Sequence, residues 1–249
     1  MTGAWAILKR ELFALWVTPL AWCLLTTFLL LQGGMFYSIV VHFSQLEQTG
    51  GGTSPMSAYF GQQSLLMALS LLLLCPALCM RTLAEERRSG SIEALLSAPI
   101  GAASIVSGKY LAVFLTYCAI WLPTLAYPLT LRDSGTVSWP VLACCYVGVL
   151  LVGASYLALG VMMSSLVRSQ LAAHLLTTAV IFGLFVLGIG EYIFEEGALR
   201  ELCAYVSLTS MLEETAQGVI DSRRLVFHFS TAVWALFVSS RVVESWRAA

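Results

Sequence analysis

Long apolar stretches alternate with short polar ones along the chain, and this alternation predicts helices that cross a membrane. A transmembrane helix needs about 20 mostly apolar residues. Six stretches meet or approach that length, and they cover residues 18–41, 63–80, 109–131, 139–166, 171–190 and 225–243. Pro76 should kink the second helix rather than end it, because membrane helices tolerate proline. The pattern predicts an all-α polytopic membrane protein, with residues 1–249 forming one domain.

An amphipathic stretch precedes the first predicted span. Its apolar side chains at helical spacing are Trp5, Leu8, Leu12, Leu15 and Trp16. This stripe predicts a helix over residues 3–17 that lies in the plane of the membrane surface, with tryptophan at the depth of the lipid headgroups. Pro19 separates this helix from the span. The alternative is a plain N-terminal extension of the first span.

Composition supports a membrane protein, and the basic residues predict its orientation. Only 11% of residues are charged, against about 25% in soluble domains. Lysine and arginine concentrate on the cytoplasmic side of membrane proteins. One side collects Lys9, Arg10, Arg81, Arg87, Arg88, Lys109, Arg168, Arg241 and Arg247. We therefore expect both termini and residues 81–108 in the cytoplasm, with residues 43–62 and 191–224 outside.

Residues 81–100 form a charged, helix-forming segment between the second and third spans. Its charged residues are Glu85, Glu86, Arg87, Arg88 and Glu93, and Leu95 and Leu96 are apolar among them. Ser89–Gly90 should interrupt the helix and Pro99 should end it, because the residue before a proline resists the helical conformation. A soluble partner would act on the membrane part here. The alternative is a plain cytoplasmic loop with solvated charges.

Residues 191–224 carry two amphipathic stretches that are too polar to span and long enough for two short outer helices. They form either a lid that dips over the outer end of a pathway or a helical hairpin on the surface. Periodicity alone does not choose between these two arrangements.

No catalytic, cofactor-binding or metal site is predicted. A phosphate-binding loop needs GxxxxGK followed by Ser or Thr, whereas Gly101 lies too far from Gly108–Lys109 and Tyr110 follows. Cys203 alone of the seven cysteines is expected outside the apolar segments. We expect membrane lipid to surround the chain and no nucleic acid to bind it.

Three parts of the sequence resemble ABC-2-type transporter permeases. The most specific is Arg81-x3-Glu85-Glu86-Arg87-x2-Gly90-Ser91-Ile92-Glu93-x-Leu95-Leu96-x2-Pro99 followed by Gly108-Lys109-Tyr110, which is similar to the family's cytoplasmic coupling segment. Lys9-Arg10-Glu11-Leu12 with Thr18-Pro19 and Gly33-x2-Phe36 resembles its opening. Tyr205-Val206-Ser207 through Gly218-Val219-Ile220-Asp221 and Arg224 resembles its last outer segment. The gliding-motility-type branch is closest, and the permease for nitrous-oxide-reductase maturation is also similar.

The resemblance implies a six-span half-transporter in the cell inner membrane, without enzymatic activity of its own. A separate cytoplasmic ATPase would bind ATP and Mg and contact Glu85, Glu86, Arg87, Arg88 and Glu93, while Leu95 and Leu96 fill an apolar cleft on it. Tyr205, Ser207, Gly218 and Asp221 would belong to an outer gate or lid.

A second copy or a related permease would complete the path. Gly33–Gly34 in the first span is the expected interface, because small residues allow close helix packing. The competing surface is the fifth span, with Gly183, Gly188 and Gly190.

Two other functions stay open. A mechanical transducer or anchor would use the same segment to drive an extracytoplasmic protein without moving a solute. A membrane-embedded enzyme is the weaker alternative, because the chain has no catalytic constellation.

Overall fold

The computed structural model describes residues 2–46, 55–62, 64–97, 100–132, 137–195 and 197–248. All regular structure in these ranges is helical. Six of the helical segments are long and apolar enough to cross a membrane. The prediction of an all-α protein with six spans is therefore confirmed.

The long helices are joined by short ones. In chain order they are α1 (Thr2–Val17), α2 (Pro19–Leu46), α3 (Pro55–Ser57), α4 (Ser64–Cys79), α5 (Ala84–Ser89), α6 (Ser91–Ser97), α7 (Ala102–Trp121), α8 (Ala126–Thr130), α9 (Trp139–Leu166), α10 (Gln170–Ile193), α11 (Ala198–Val206), α12 (Leu208–Ala216) and α13 (Ser222–Ala248). A π-helical turn over Ala58–Gln62 follows α3, and a 3-10 turn over Leu122–Leu125 joins α7 to α8.

Several boundaries differ from the sequence expectation. α7 begins at Ala102, so the residues expected to link the charged segment to the third span form its first two turns. α4 runs through Pro76 and ends at Cys79. Pro99 and residues 47–54 of the outer loop lie outside the described residues.

α9 occupies the centre of the helical bundle and packs against α4, α7, α10, α12 and α13. Gly153 in its middle lets α7 approach closely, because a Cβ atom there would lie 2.3 Å from Cε1 of Tyr117. The Tyr117 hydroxyl then donates to the Val149 carbonyl oxygen at 3.0 Å. Tyr117 is fully buried, and this contact fixes how the two spans pack.

α2 and α10 are the most exposed spans, with only 22% of the apolar stretch of each buried. A Cβ atom added to Gly34 on α2 would meet no other atom within 4 Å. By contrast, Gly188 and Gly190 on α10 already lie against Ser207 and Cys203 of the outer helices. Each of the two spans therefore keeps one open small-residue position, Gly34 on α2 and Gly183 on α10.

Candidate functional site

Four charged side chains from three distant parts of the sequence meet at one end of the bundle. We call them the charge cluster: Arg10 and Glu11 from α1, Glu86 from α5, and Lys109 from α7. Lys109 Nζ lies 2.9 Å from Glu86 Oε1 and 3.1 Å from Glu11 Oε1. Arg10 Nη2 lies 2.6 Å from each of the same two oxygens. Two cations therefore share two carboxylate oxygens, and the formal charges balance.

Burial differs sharply across the charge cluster. The Lys109 side chain is 1% exposed, whereas that of Arg10 is 55% exposed. A buried ammonium without partners is strongly unfavourable. Glu11 and Glu86 supply the opposite charges beside the buried ammonium of Lys109.

The pKa of Glu11 depends both on burial of its carboxyl group and on the charges of its neighbours. Burial is the largest influence and acts to raise this pKa, but Lys109 and Arg10 together outweigh it. The net result is a pKa lowered from the ordinary value of 4.5. The carboxylate is therefore stabilised in its charged form.

Close packing of α1 on α7 brings the cluster together. A Cβ atom on Gly108 would lie 2.9 Å from the Ala4 carbonyl oxygen, so only glycine allows this approach. Beside it, Ile7, Ile92, Leu95 and Ile105 form a small buried apolar core shared by α1, α6 and α7.

α9 holds the start of α5. The backbone N–H groups of Leu83 and Ala84 both donate to Ser164 Oγ, at 3.1 and 3.0 Å. Leu83 precedes α5 and Ala84 begins it, so neither amide has a carbonyl partner within that helix. Ser164 thus caps α5 from another helix, and Glu86 is placed beside Lys109 as a result.

A cavity of about 290 Å³ opens beside the charge cluster, between α1, the end of α4, α5 and α7. Arg81, Thr82 and Glu85 line it together with the four cluster residues. The Oε2 atoms of Glu85 and Glu86 are buried and accept no hydrogen bond in the described part of the chain.

The predicted coupling residues occupy different surroundings. Glu86 lies in the charge cluster, and Glu85 pairs with the exposed Arg88 at 3.2 Å. The Arg87 guanidinium lies 4.7 Å from the ring centre of Trp246 in α13. Glu93 is exposed on α6. Gly90, with φ of 77°, separates α5 from α6 where an interruption was expected.

Leu95 and Leu96 were expected to fill a cleft on a partner. Leu95 is 9% exposed and packs inside this chain with Ile7 and Ile105. The side chain of Leu96 lies outside the described residues. A partner contact by either residue stays a prediction.

Sequence reasoning did not select Arg10, Glu11 or Lys109 as site residues. All three belong to stretches that carry the family resemblance, but the charges of Arg10 and Lys109 served only to predict orientation. The usable indication is Lys109 itself, because a lysine in the second turn of an apolar helix needs a nearby acid. The sequence does not say which acid.

A second buried cation organises the other end of the bundle. Arg224 is 6% exposed. Its Nη1 donates to the Ser207 carbonyl oxygen at 3.0 Å, and its Nη2 pairs with Glu214 at 2.9 Å. One turn further along α13, His228 Nδ1 lies 2.8 Å from Ser155 Oγ of α9. Arg224 therefore ties the junction of α11 and α12 to the start of the last span.

The four predicted outer residues are only partly brought together. Tyr205 and Asp221 line one small cavity with Arg224. Ser207 caps α12 by accepting from the Ser210 backbone N–H. Gly218, with φ of 79°, lies against Val141 at the start of α9 instead.

A helical bundle with six spans and charged helical segments at both ends defines a polytopic membrane protein. Residues 36–213 match the family described as ABC-2 family transporter protein, and the chain belongs to this family. The matched region contains Glu86 and Lys109 but begins after Arg10 and Glu11. No curated protein matches the chain.

Substitution of Lys109 by methionine tests the charge cluster. Loss of the ammonium leaves two largely buried carboxylates with Arg10 alone. We expect a loss of about 3 kcal/mol in the free energy of unfolding, as when one partner of a buried pair is removed. Unfolding of the purified chain in mixed detergent micelles measures it. The control is Arg241→Gln, which removes an exposed pair and should cost about 1 kcal/mol or less. Equal losses in both variants would contradict the assigned role.

Substitution of Arg224 by glutamine tests the outer link. We expect backbone amides of α11 and α12 to exchange hydrogen about tenfold faster, because hydrogen bonds to charged groups contribute about 1.5–3 kcal/mol. Hydrogen–deuterium exchange with mass spectrometry measures this effect by segment. Arg223→Gln removes an adjacent, exposed charge and should leave the exchange unchanged. Unchanged exchange in the Arg224 variant would show that the outer helices hold without this link.

Proposed function

We propose that this chain is the permease subunit of an ATP-driven transporter, moved by a separate cytoplasmic ATPase that acts on residues 81–100. The charge cluster carries the proposal, because it joins the charged segment to α1 and to a spanning helix. The substrate class is left open. ATP and Mg would bind to the ATPase, and this chain would act as a non-catalytic subunit.

The transmission step follows from the cost of separating the cluster. A displacement of α5 that left α1 and α7 behind would strip Glu86 from Lys109, which is 1% exposed. Exposing or unpairing a buried charge is costly, so the three helices should move as one body. A conformational change driven by a partner needs such a unit with different contacts in its two states.

The ATPase contact would use the charges that the cluster leaves free. Arg88 and Glu93 are exposed, and Glu85 is half-buried at their edge. Glu86 and Leu95 already have partners inside the chain. In this proposal the exposed charges recognise the ATPase, while Glu86 and Leu95 pass its motion on.

The rest of the assembly follows the half-transporter organisation. A second copy or a related permease would pack against this chain. We take α2, a largely exposed span on which Gly34 is open, as the interface, and α10, on which Gly183 is open, as the competing surface. The helices α11 and α12 would form the outer lid, held by Arg224. The family match does not favour the transducer alternative.

Charge reversal at Glu93 tests the ATPase contact. Tagged chain would be purified in mild detergent from its own cells, together with any phosphate-loop ATPase that copurifies. We expect the wild type to retain an ATPase that hydrolyses ATP, in a complex whose mass fits two permease and two ATPase chains. Glu93→Lys should lose most of this ATPase, because attraction becomes repulsion at the contact.

Glu244→Lys is the matched control, since it reverses an exposed glutamate at the same end of the bundle without touching α6. It should retain the ATPase. If Glu93→Lys gave an active complex of normal composition, residues 81–100 would be a plain cytoplasmic segment and not the ATPase contact. One permease chain with one ATPase chain, still active, would refute the half-transporter organisation.

Orientation is tested by cysteine labelling in a variant without the native cysteines. Ser89 and Gln217 are both exposed and lie at opposite ends of the bundle. In the proposed topology the chain lies in the inner membrane with both termini in the cytoplasm. A cysteine at position 217 should then react with an impermeant reagent in intact spheroplasts. A cysteine at position 89 should react only after permeabilisation. The reverse result would invert the proposed topology.

A further inference from the structure

One side of α1 faces away from the bundle, and it is both aromatic and basic. Trp5 and Phe13 are 68% and 71% exposed. Between them the helix surface forms a shallow groove lined by Ala6, Lys9, Arg10, Leu12, Phe13 and Trp16. These lining residues include two cations and no acid, so the groove favours an anion with an apolar body.

The two cations are available to a ligand. Lys9 is exposed and makes no ion pair within the described residues. Arg10 uses only Nη2 to reach Glu11 and Glu86, and its side chain remains 55% exposed. An anion on this face could therefore contact Lys9 and the outward edge of the Arg10 guanidinium without breaking the charge cluster.

The first span fixes the groove at the membrane surface. α2 begins at Pro19, directly after Thr18, whose hydroxyl donates to the Leu15 carbonyl oxygen at 2.8 Å. Trp22, in the first turn of α2, donates from Nε1 to the Trp16 carbonyl oxygen at 3.0 Å. The rings of Trp16 and Trp22 pack edge to face at 5.5 Å. Tryptophan is typical of the headgroup depth of a bilayer.

We propose that this face of α1 binds an anionic phospholipid, with Lys9 and Arg10 on the headgroup and Phe13 and Trp16 against the start of the acyl chains. The proposal goes beyond the proposed function and requires only that the chain is a membrane protein. Apolar contact alone would hold zwitterionic and anionic lipids equally. The charge of Lys9, which has no ion-pair partner within the described residues, and the outward edge of the Arg10 guanidinium provide the preference for the anionic headgroup.

A second copy of this chain fits the same face poorly. Two-fold contact between identical faces would set Lys9 and Arg10 against the same residues of the other copy. Like charges at an interface are unfavourable. Charge complementarity therefore favours a lipid over self-association at this face.

Native mass spectrometry of the full-length chain tests the proposal, with phosphatidylglycerol and phosphatidylcholine of identical acyl chains as probes. The wild type should bind phosphatidylglycerol more tightly. Lys9→Gln should weaken phosphatidylglycerol binding about fivefold, the effect of one basic residue near an anionic surface, and leave phosphatidylcholine binding unchanged. Phe13→Ala should weaken the binding of both lipids. Arg223→Gln, the same loss of charge at the other end of the bundle, should change neither.

Three results would overturn the proposal. The first is equal phosphatidylglycerol binding by wild type and Lys9→Gln. The second is displacement of the lipid by inorganic phosphate at equal concentration, which would indicate a general anion site. The third is loss of a dimer in Phe13→Ala with no change in lipid binding, which would assign the face to a second copy. Lys9 is exposed, so its variant should keep the wild-type elution profile.

Discussion

Lys109 carries its charged group into the interior of an apolar helix, and the helices at this end of the bundle supply the ion-pair partners that this group needs. Its ammonium needs two carboxylates, one from α1 and one from α5. The N-terminal helix must therefore lie flat against α7, and the charged segment must fold back to the same point. Gly108 permits the first contact and Ser164 secures the second. The electrostatic demand of one side chain thus determines where two peripheral segments are placed.

The opposite end of the bundle is also held by a buried cation and its polar partners. Arg224 is also a nearly buried cation near the end of a span, and it reaches a carboxylate and a carbonyl oxygen in the segment that precedes that span. In both places a peripheral helical segment is fixed to a spanning helix by charge rather than by apolar packing alone. Within a membrane protein this is an effective anchor, because apolar packing between helices competes with equally apolar lipid.

Hydropathy is enough to predict the six spans, because each span is set by its own composition. The charge cluster cannot be predicted in the same way, since it depends on α1 packing against α7. Leu95 shows the limit clearly. An amphipathic pattern shows that Leu95 needs an apolar neighbour, but not whether that neighbour belongs to this chain or to a partner. The structure supplies Ile7 and Ile105.

The start of α7 differs from the sequence expectation for a related reason. Residues 102–108 contain small and hydroxyl side chains that are typical of a link as well as of a helix. They are helical here because Ile105 and Val106 are buried and Gly108 lies against α1. Tertiary packing decides between the two conformations, and a single sequence does not contain that contact.

The charge cluster also places a condition on biosynthesis. Arg10 and Glu11 leave the ribosome first, Glu86 follows after two spans, and Lys109 emerges last. Until the third span is made, Glu11 and Glu86 have only Arg10 as a counter-charge within the charge cluster and must remain hydrated. α1 therefore cannot adopt its final position as it is synthesised. It settles against the bundle only when α7 enters the membrane, so docking of the N-terminal helix reports that the first half of the chain has been inserted correctly.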